Sequence, residues 1–314
     1  MKKISVVVPF YNEEANLPLI YDELREVMDS LKSHYEFEVL FVDNRSTDSS
    51  FAVAYELSQK DPRLKCLRQS RNFGYQANIL AGMSESTGDA MVQLDADGED
   101  DPKLIVEFLK KWEEGYQVVY GVRRQRAESY LVQIQRKIFY RSIAKLSSVP
   151  LPLDAGDFRL LDRCVIDALK NFPEKGLYLR GMIAYAGFSQ FGIPYCRRPR
   201  WKGESKFSWF DYVALALTGV TSFSAKPLFL VLWLGTLLSI LSFLGFVLYL
   251  CFWLFGGIPV KGFTTLVLIH LGLSGVNLIC LGAIGRYVGA IFDEVKGRPR
   301  YILDPSTPKD KSLD

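Results

Sequence analysis

The sequence predicts an α/β domain built on a mainly parallel sheet, followed by interfacial helices and a two-helix transmembrane hairpin. Two observations carry this. Strand-like and helix-like segments alternate from residue 1 to about 122, the pattern of a parallel sheet covered by helices on both faces. No Asp, Glu, Lys or Arg then occurs between Lys226 and Lys261, or between Lys261 and Arg286, leaving charge-free gaps of 34 and 24 residues. A bilayer core needs roughly 20 apolar residues in a helix. The expected division is a catalytic domain over 1–207, an interfacial helix over 208–226, transmembrane helices over 228–255 and 263–285, and a terminal segment over 286–314.

The elements follow in order. Ile4–Val8 reads as a strand and Glu14–Leu31 as an amphipathic helix. Val39–Val42, Leu64–Leu67 and Ala90–Leu94 read as strands, with helices over Ser49–Gln59 and Tyr75–Glu85 between them. Leu104–Glu114 is the fourth helix and Gln117–Tyr120 the closing strand. Ligands of such sheets bind beyond the carboxyl ends of strands where connections reverse, so the residues after strands one, two and four are the first candidates. Residues 123–145 hold seven basic residues and one acidic one at the spacing of a basic amphipathic helix. The polar tail from Asp304 to Asp314 is expected to lack fixed structure.

Composition excludes several classes. Hydrophobic residues make up 49% of the 314 and charged residues 23%, which is not a disordered composition. A net charge of +3 argues against a nucleic-acid-binding protein. With only His34 and His270, a multi-histidine metal site or a Ser-His pair is nearly excluded. The five cysteines contain no CxxC and read as buried, reduced thiols. The apolar run before Pro9 is too short for a signal peptide. The hairpin loop carries only Lys261, whereas Arg286, Lys296, Arg298 and Arg300 follow the second span. The positive-inside rule therefore places the domain and both termini on the cytoplasmic side of the plasma (inner) membrane.

Six motifs carry candidate chemistry. Val8–Glu14 ends the first strand; Asn12 is either a helix cap or part of a nucleotide-binding loop. Asp43, at the end of the second strand, can accept hydrogen bonds from a base or ribose. Arg71, in Gln69–Gly74, can pair with phosphate. Gln93–Pro102 places five carboxylates after a strand. Asp95 and Asp97 point the same way if the strand continues and can share a divalent ion, and hard oxygen ligands favour Mg2+ or Mn2+. Asp154–Leu160 brings a second acid, Asp157, far down the chain. Arg197–Phe207 brings Arg200, Ser205 and Lys206 as a phosphate grip near the membrane.

In this order, with two apolar spans behind them, the motifs resemble the membrane-bound polyprenyl-phosphate glycosyltransferases, inverting enzymes of the GT-A fold akin to dolichol-phosphate mannose synthase. The resemblance covers nearly the whole chain. VxxPxYNE appears as Val6 to Glu13. VDDGSTD appears as Val42 to Asp48, with Asn44 and Arg45 in place of Asp and Gly. R-N-x-G matches Arg71 to Gly74, and DADLQDPP matches Asp95 to Pro102 with Glu99 for Gln. GDFRL stands at 156–160, R-x-x-G-x-S-K at 200–206 and E-x-x-G-R-P-x-Y at 294–301.

The resemblance implies transfer of a sugar, glucose by preference, from a UDP-sugar to polyprenyl (undecaprenyl) phosphate. Donor binding would fall to Pro9, Tyr11, Asn12, Glu13, Asp43, Arg71 and Asp95, and metal binding to Asp95, Asp97 and Glu99. Asp157 would be the catalytic carboxylate, as base or as positioner. Arg123, Arg136, Arg200, Ser205 and Lys206 would receive the acceptor phosphate. Self-association through the hairpin stays open. The competing readings are a processive polysaccharide synthase, which would show Gln-x-x-Arg-Trp and more spans, and a non-catalytic glycolipid-binding or flipping protein.

Overall fold

A computed structural model describes residues 1–123, 155–172, 174, 178–199, 201, 226–255 and 262–305. The basic segment beyond Arg123, with Arg136, and the segment with Arg200, Ser205, Lys206 and the expected interfacial helix lie outside the described residues.

The expected alternating units are present. Strand β1 spans Lys2–Phe10, β2 Tyr35–Asp43, β3 Leu64–Arg68, β4 Ala90–Gln93 and β5 Val118–Arg123. Helices α1 (Leu17–Leu31), α2 (Ser50–Lys60), α3 (Tyr75–Glu85) and α4 (Ile105–Glu113) connect them. Two further strands were not anticipated: β6, Ala155–Asp162, and β7, Gln190–Tyr195. Helices α5 (Arg163–Lys170) and α6 (Leu179–Ala186) lie between them. The seven strands form one sheet in the order β3-β2-β1-β4-β6-β5-β7. Pairing is parallel except for β6, which runs antiparallel to both β4 and β5.

Alternation along the strands sorts side chains to the two faces. Val6 and Val8 of β1 join α1 and α4 in one core, with Leu24, Phe41, Phe108 and Phe158. Val7 joins α3, α5 and α6 in the other, with Val42, Leu80, Met83 and Ile166. Both faces of the central strands are therefore covered, as a parallel sheet requires.

Two features of register place the site. First, Phe10, Asp43 and Arg68 stand side by side at the ends of β1, β2 and β3. Second, Gln93 of β4 pairs with Arg159 of β6 in antiparallel register, so continuing both strands brings position 95 opposite position 157. The chain goes outward from β1 to β3 and then returns to β4 on the other side of β1. That reversal is the switch point where such sheets bind ligands.

The apolar segments are helical: α7 runs from Lys226 to Phe255 and α8 from Phe263 to Val295. They carry most of the exposed large hydrophobics, including Leu232, Trp233, Phe243 and Ile279. Among the described residues, one stretch, Gly272–Val295, is long and apolar enough to cross a membrane, and Val231–Gly245 is a shorter apolar stretch. Helix α8 continues past the expected boundary at 285. Nothing from Arg286 to Val295 is Pro, and Gly297, with φ 61°, follows the helix end.

Of the tail, Asp304 is held by pairing, and residues 306–314 lie outside the described residues. Ser70 N donates to Ile302 O and Asp304 N to Arg68 O, both at 2.8 Å, so the segment after α8 lies along the β3 edge. Of the cysteines, Cys66 is buried, but Cys164, Cys196 and Cys251 are exposed, contrary to the expectation of uniformly buried thiols.

Candidate active site

The site is built from the loops after β1, β2 and β4 and the start of β6. Asn12 sits in the left-handed region at φ 55°. Its Oδ1 accepts from Thr47 N at 2.8 Å, and its backbone N donates to Ser46 Oγ at 2.9 Å. Glu13 N donates to Ser50 Oγ at 2.7 Å. The first loop is thus stitched to the second, and the residue capping α1 is Asn16 rather than Asn12. Pro9 is buried in β1 and Tyr11 is half-buried beyond its end.

Asp43 is fully buried. Its Oδ1 accepts from Ser46 N at 2.7 Å, and its Oδ2 faces Arg68 Nε at 3.0 Å. Burial pushes its pKa up, against the bond from Ser46 and the charge of Arg68. The carboxylate at the end of β2 therefore has a structural partner supplied by the register of β2 and β3. Asn44, which replaces an Asp of the motif, accepts from Phe73 N and donates to Asn72, at 3.0 and 2.9 Å. It ties the second loop to the R-N-x-G loop. Arg45 holds the left-handed position at φ 62°, where the motif has Gly, and pairs with Asp304 at 2.8 Å. Arg71 is exposed, with its guanidinium over the Phe73 ring at 4.2 Å.

The acidic turn is the electrostatic centre. Tyr75 Oη donates to Asp95 Oδ1 at 2.6 Å. Burial, with Asp97, Asp100 and Asp157 nearby, pushes the Asp95 carboxyl up to about 7. Asp97 Oδ1 accepts from Glu99 N at 3.1 Å. Asp100 is fully buried, bonded to Tyr195 Oη, and its Oδ2 has no partner.

Residues 197–199 and Trp201 lie over this turn. Arg198 N donates to Glu99 O at 2.8 Å, and the Trp201 ring occupies the space above Gly98. Gly98 has φ 74°, and a Cβ there would overlap the indole, so this position demands Gly twice over. Arg197 pairs with Glu99, reaches Asp100 Oδ1 at 3.3 Å and approaches Asp97 at 3.9 Å. Arg198 pairs with Asp101 and with Glu23. These two arginines, from the same basic run as Arg200, face carboxylates.

Among the described residues, no three carboxylate, imidazole or thiol groups form a ready-made metal cage. The donor set nevertheless suits a hard divalent cation. Asp95 and Asp97 repel one another, and an unpartnered carboxylate oxygen of Asp100 lies buried beside them. Glu99, expected as a third ligand, is engaged by Arg197.

Asp157 lies across the strand register from Asp95, among arginines. Arg180 Nε and Nη2 donate to its two oxygens at 2.9 and 2.7 Å, and Arg159 Nη2 donates to Oδ1 at 2.7 Å. Burial would raise its pKa, but Arg180, Arg159 and Arg123 outweigh burial and hold the carboxyl at about 2. Arg123, the one acceptor-site candidate among the described residues, lies beside this group; its Nε is buried without a partner. Sequence reasoning missed Tyr75 and Arg180. Arg159 was in view inside GDFRL but was assigned no role.

Residues 5–169 match the family model described as glycosyl transferase family 2. The chain is 43% identical to an uncharacterized glycosyltransferase, YkcC, of Bacillus subtilis over 96% of this chain and 93% of that protein. It is 35% identical to the SfII prophage-derived bactoprenol glucosyl transferase of Shigella flexneri, over 97% of this chain and 98% of that one. Among solved structures, mannosyl-3-phosphoglycerate synthase from Rubrobacter xylanophilus is similar at a TM-score of 0.47 and 18% identity, covering 70% of this chain and 72% of that one. With acidic and basic groups gathered at the switch point of its sheet, and with these relatives along nearly its whole length, the chain belongs to glycosyl transferase family 2.

Proposed function

We propose that the protein transfers glucose from UDP-glucose to the phosphate of a polyprenyl phosphate, with inversion at the anomeric carbon, at the cytoplasmic face of the membrane. The observation that carries this reading is the apposition fixed by the β4–β6 register. The carboxylates Asp95, Asp97 and Asp100 stand against Arg123, Arg159 and Arg180 around Asp157. A cation-binding face beside an anion-binding face is what joining a nucleoside diphosphate donor to a phosphate acceptor requires. The name of the Shigella relative and the apolar helices α7 and α8 support a lipid-linked acceptor and two membrane spans.

In this account Pro9, Tyr11, Asn12, Glu13 and Asp43 frame the uridine, and Arg71 stands ready for the diphosphate. Asp95 and Asp97, with Glu99 if Arg197 releases it, would hold Mg2+ or Mn2+. Such an ion supplies Lewis-acid neutralisation of the departing diphosphate. An oxygen of the acceptor phosphate attacks C1 of the sugar, the bond from C1 to the diphosphate oxygen breaks, and UDP leaves with the electron pair. The acceptor's second pKa is near 6, so at neutral pH the attacking oxygen is already deprotonated. Asp157, held near pKa 2 by its arginines, orients cationic side chains rather than taking a proton. Arg123, Arg136, Arg200, Ser205 and Lys206 offset the charge of the acceptor.

UDP release with the purified full-length protein tests this reading. Release from UDP-glucose that depends on both undecaprenyl phosphate and a divalent ion is expected. Binding of both substrates without turnover would favour a glycolipid-binding protein.

A further inference from the structure

Three guanidinium groups surround one carboxylate at the start of β6, leaving a local formal excess of two positive charges. Arg159 is committed through Nε and Nη2. Its Nη2 donates to Gly156 O and to Asp157 Oδ1, its Nε to Asp157 O, and its side chain is buried. Arg180 is committed on one edge only. Nε and Nη2 make the paired bonds to Asp157, while Nη1 has no partner among the described residues and the side chain remains 33% exposed. Arg123 contributes a second unspent donor, the buried Nε. Asp157 itself accepts three bonds, from Arg180 twice and Arg159 once, which uses most of its roughly four lone-pair sites. A carboxylate so occupied is an anchor for arginine.

We propose that Arg180 is a substrate-binding residue for the acceptor: pinned in orientation by Asp157, it presents its free edge, together with Arg123, to the acceptor's phosphate group. The inference rests on the phosphate-acceptor reading above and deepens it. A guanidinium held by two parallel bonds has lost its rotational freedom before the substrate arrives, so little ordering cost remains when phosphate binds. Its position on the first turn of α6, facing β6, explains why chain order hid it: Asp157 and Arg180 meet only when α6 packs against the sheet.

The test uses the full-length protein in nanodiscs, with UDP-glucose and undecaprenyl phosphate varied separately, and the variants Arg180→Gln and Arg180→Lys. Arg180→Gln is expected to raise the acceptor KM about tenfold or more, the scale of one charge-assisted hydrogen bond, with the donor KM unchanged within about twofold. Arg180→Lys keeps the charge without the fork and should recover part of that loss. An unchanged acceptor KM in either variant, or equal rises in both KM values, overturns the inference. Thermal melting and UDP binding identify a variant that fails to fold; the lysine variant then carries the comparison. A wild-type protein that transfers glucose to no lipid phosphate would refute the acceptor reading itself. Normal wild-type transfer with an indifferent Arg180 would refute this inference alone.

Discussion

Replacing Asp157 by Asn separates the two roles open to it. In the folded protein its pKa is lowered from 3.8 to about 2. At ~1.36 kcal/mol per unit, that drop corresponds to about 2 kcal/mol of net interaction favouring the charged form. If the substitution frees Arg180 and the whole of this interaction is expressed in acceptor binding, kcat/KM for polyprenyl phosphate falls by roughly 30-fold; partial expression gives about tenfold. General-base catalysis is worth more, about 10²–10⁴-fold. The pH dependence is the sharper discriminator. With a pKa of about 2, Asp157 contributes no limb to the rate profile above pH ~4, and the acid limb near pH 6–7 belongs to the acceptor phosphate and to Asp95. Initial rates of labelled glucose transfer from pH 5.5 to 9.5 should show a nearly constant ratio of wild type to Asp157→Asn. A deficit that closes at high pH would refute the positioning role.

Further outcomes follow from the same geometry. Gly98→Ala adds a Cβ at φ 74° into the Trp201 ring, costing about 1–2 kcal/mol for the backbone alone; transfer should fall sharply and tryptophan fluorescence should shift. Glu38 is buried, accepts from Ser5 Oγ and Thr87 N at 2.6 Å each, and pairs with Lys3. Burial alone would raise its pKa, but these partners lower it from 4.5 to about 2, corresponding to about 3 kcal/mol. Because the folded pKa is the lower one, this stability is present above pH ~4.5 and lost as pH falls through about 2. The melting-temperature gap between wild type and Glu38→Gln should therefore be widest at neutral pH and close on acidification. Arg45→Gly relieves a non-glycine residue at φ 62° and loses only a partly exposed ion pair with Asp304, so stability should rise or hold, with transfer retained.

The first four strands and helices were legible because each is a local pattern: β-branched runs alternate with amphipathic stretches, and the polar residues fall at strand ends. The antiparallel insertion of β6 between β4 and β5 was not, because strand order is set by long-range pairing. The stretch Ala155–Asp162 also interleaves Gly, Asp and Arg with apolar residues, which reads as a turn. The acidic turn was legible as a cluster, but its counter-charge was not. Arg197 looked like one member of a basic run, and only the pairing of Arg198 and Trp201 with the acidic turn directs it at carboxylates. Asp157 was legible as a candidate through GDFRL, whereas its environment was not, since Arg180 arrives from a separate helix. Asp43 shows the converse: an acid singled out for ligand binding proves to be matched by Arg68, one strand away.

The central claim is that sugar passes to a lipid phosphate. Its most direct measurement is mass spectrometry of the lipid extract after the purified protein is incubated with UDP-glucose, undecaprenyl phosphate and Mg2+ or Mn2+. The account predicts a metal-dependent glucosyl phosphodiester of the lipid in the β configuration, inverted from the donor, and its absence when chelator replaces the ion. Free glucose alone, a polymer of several sugars, or a retained α linkage would contradict it.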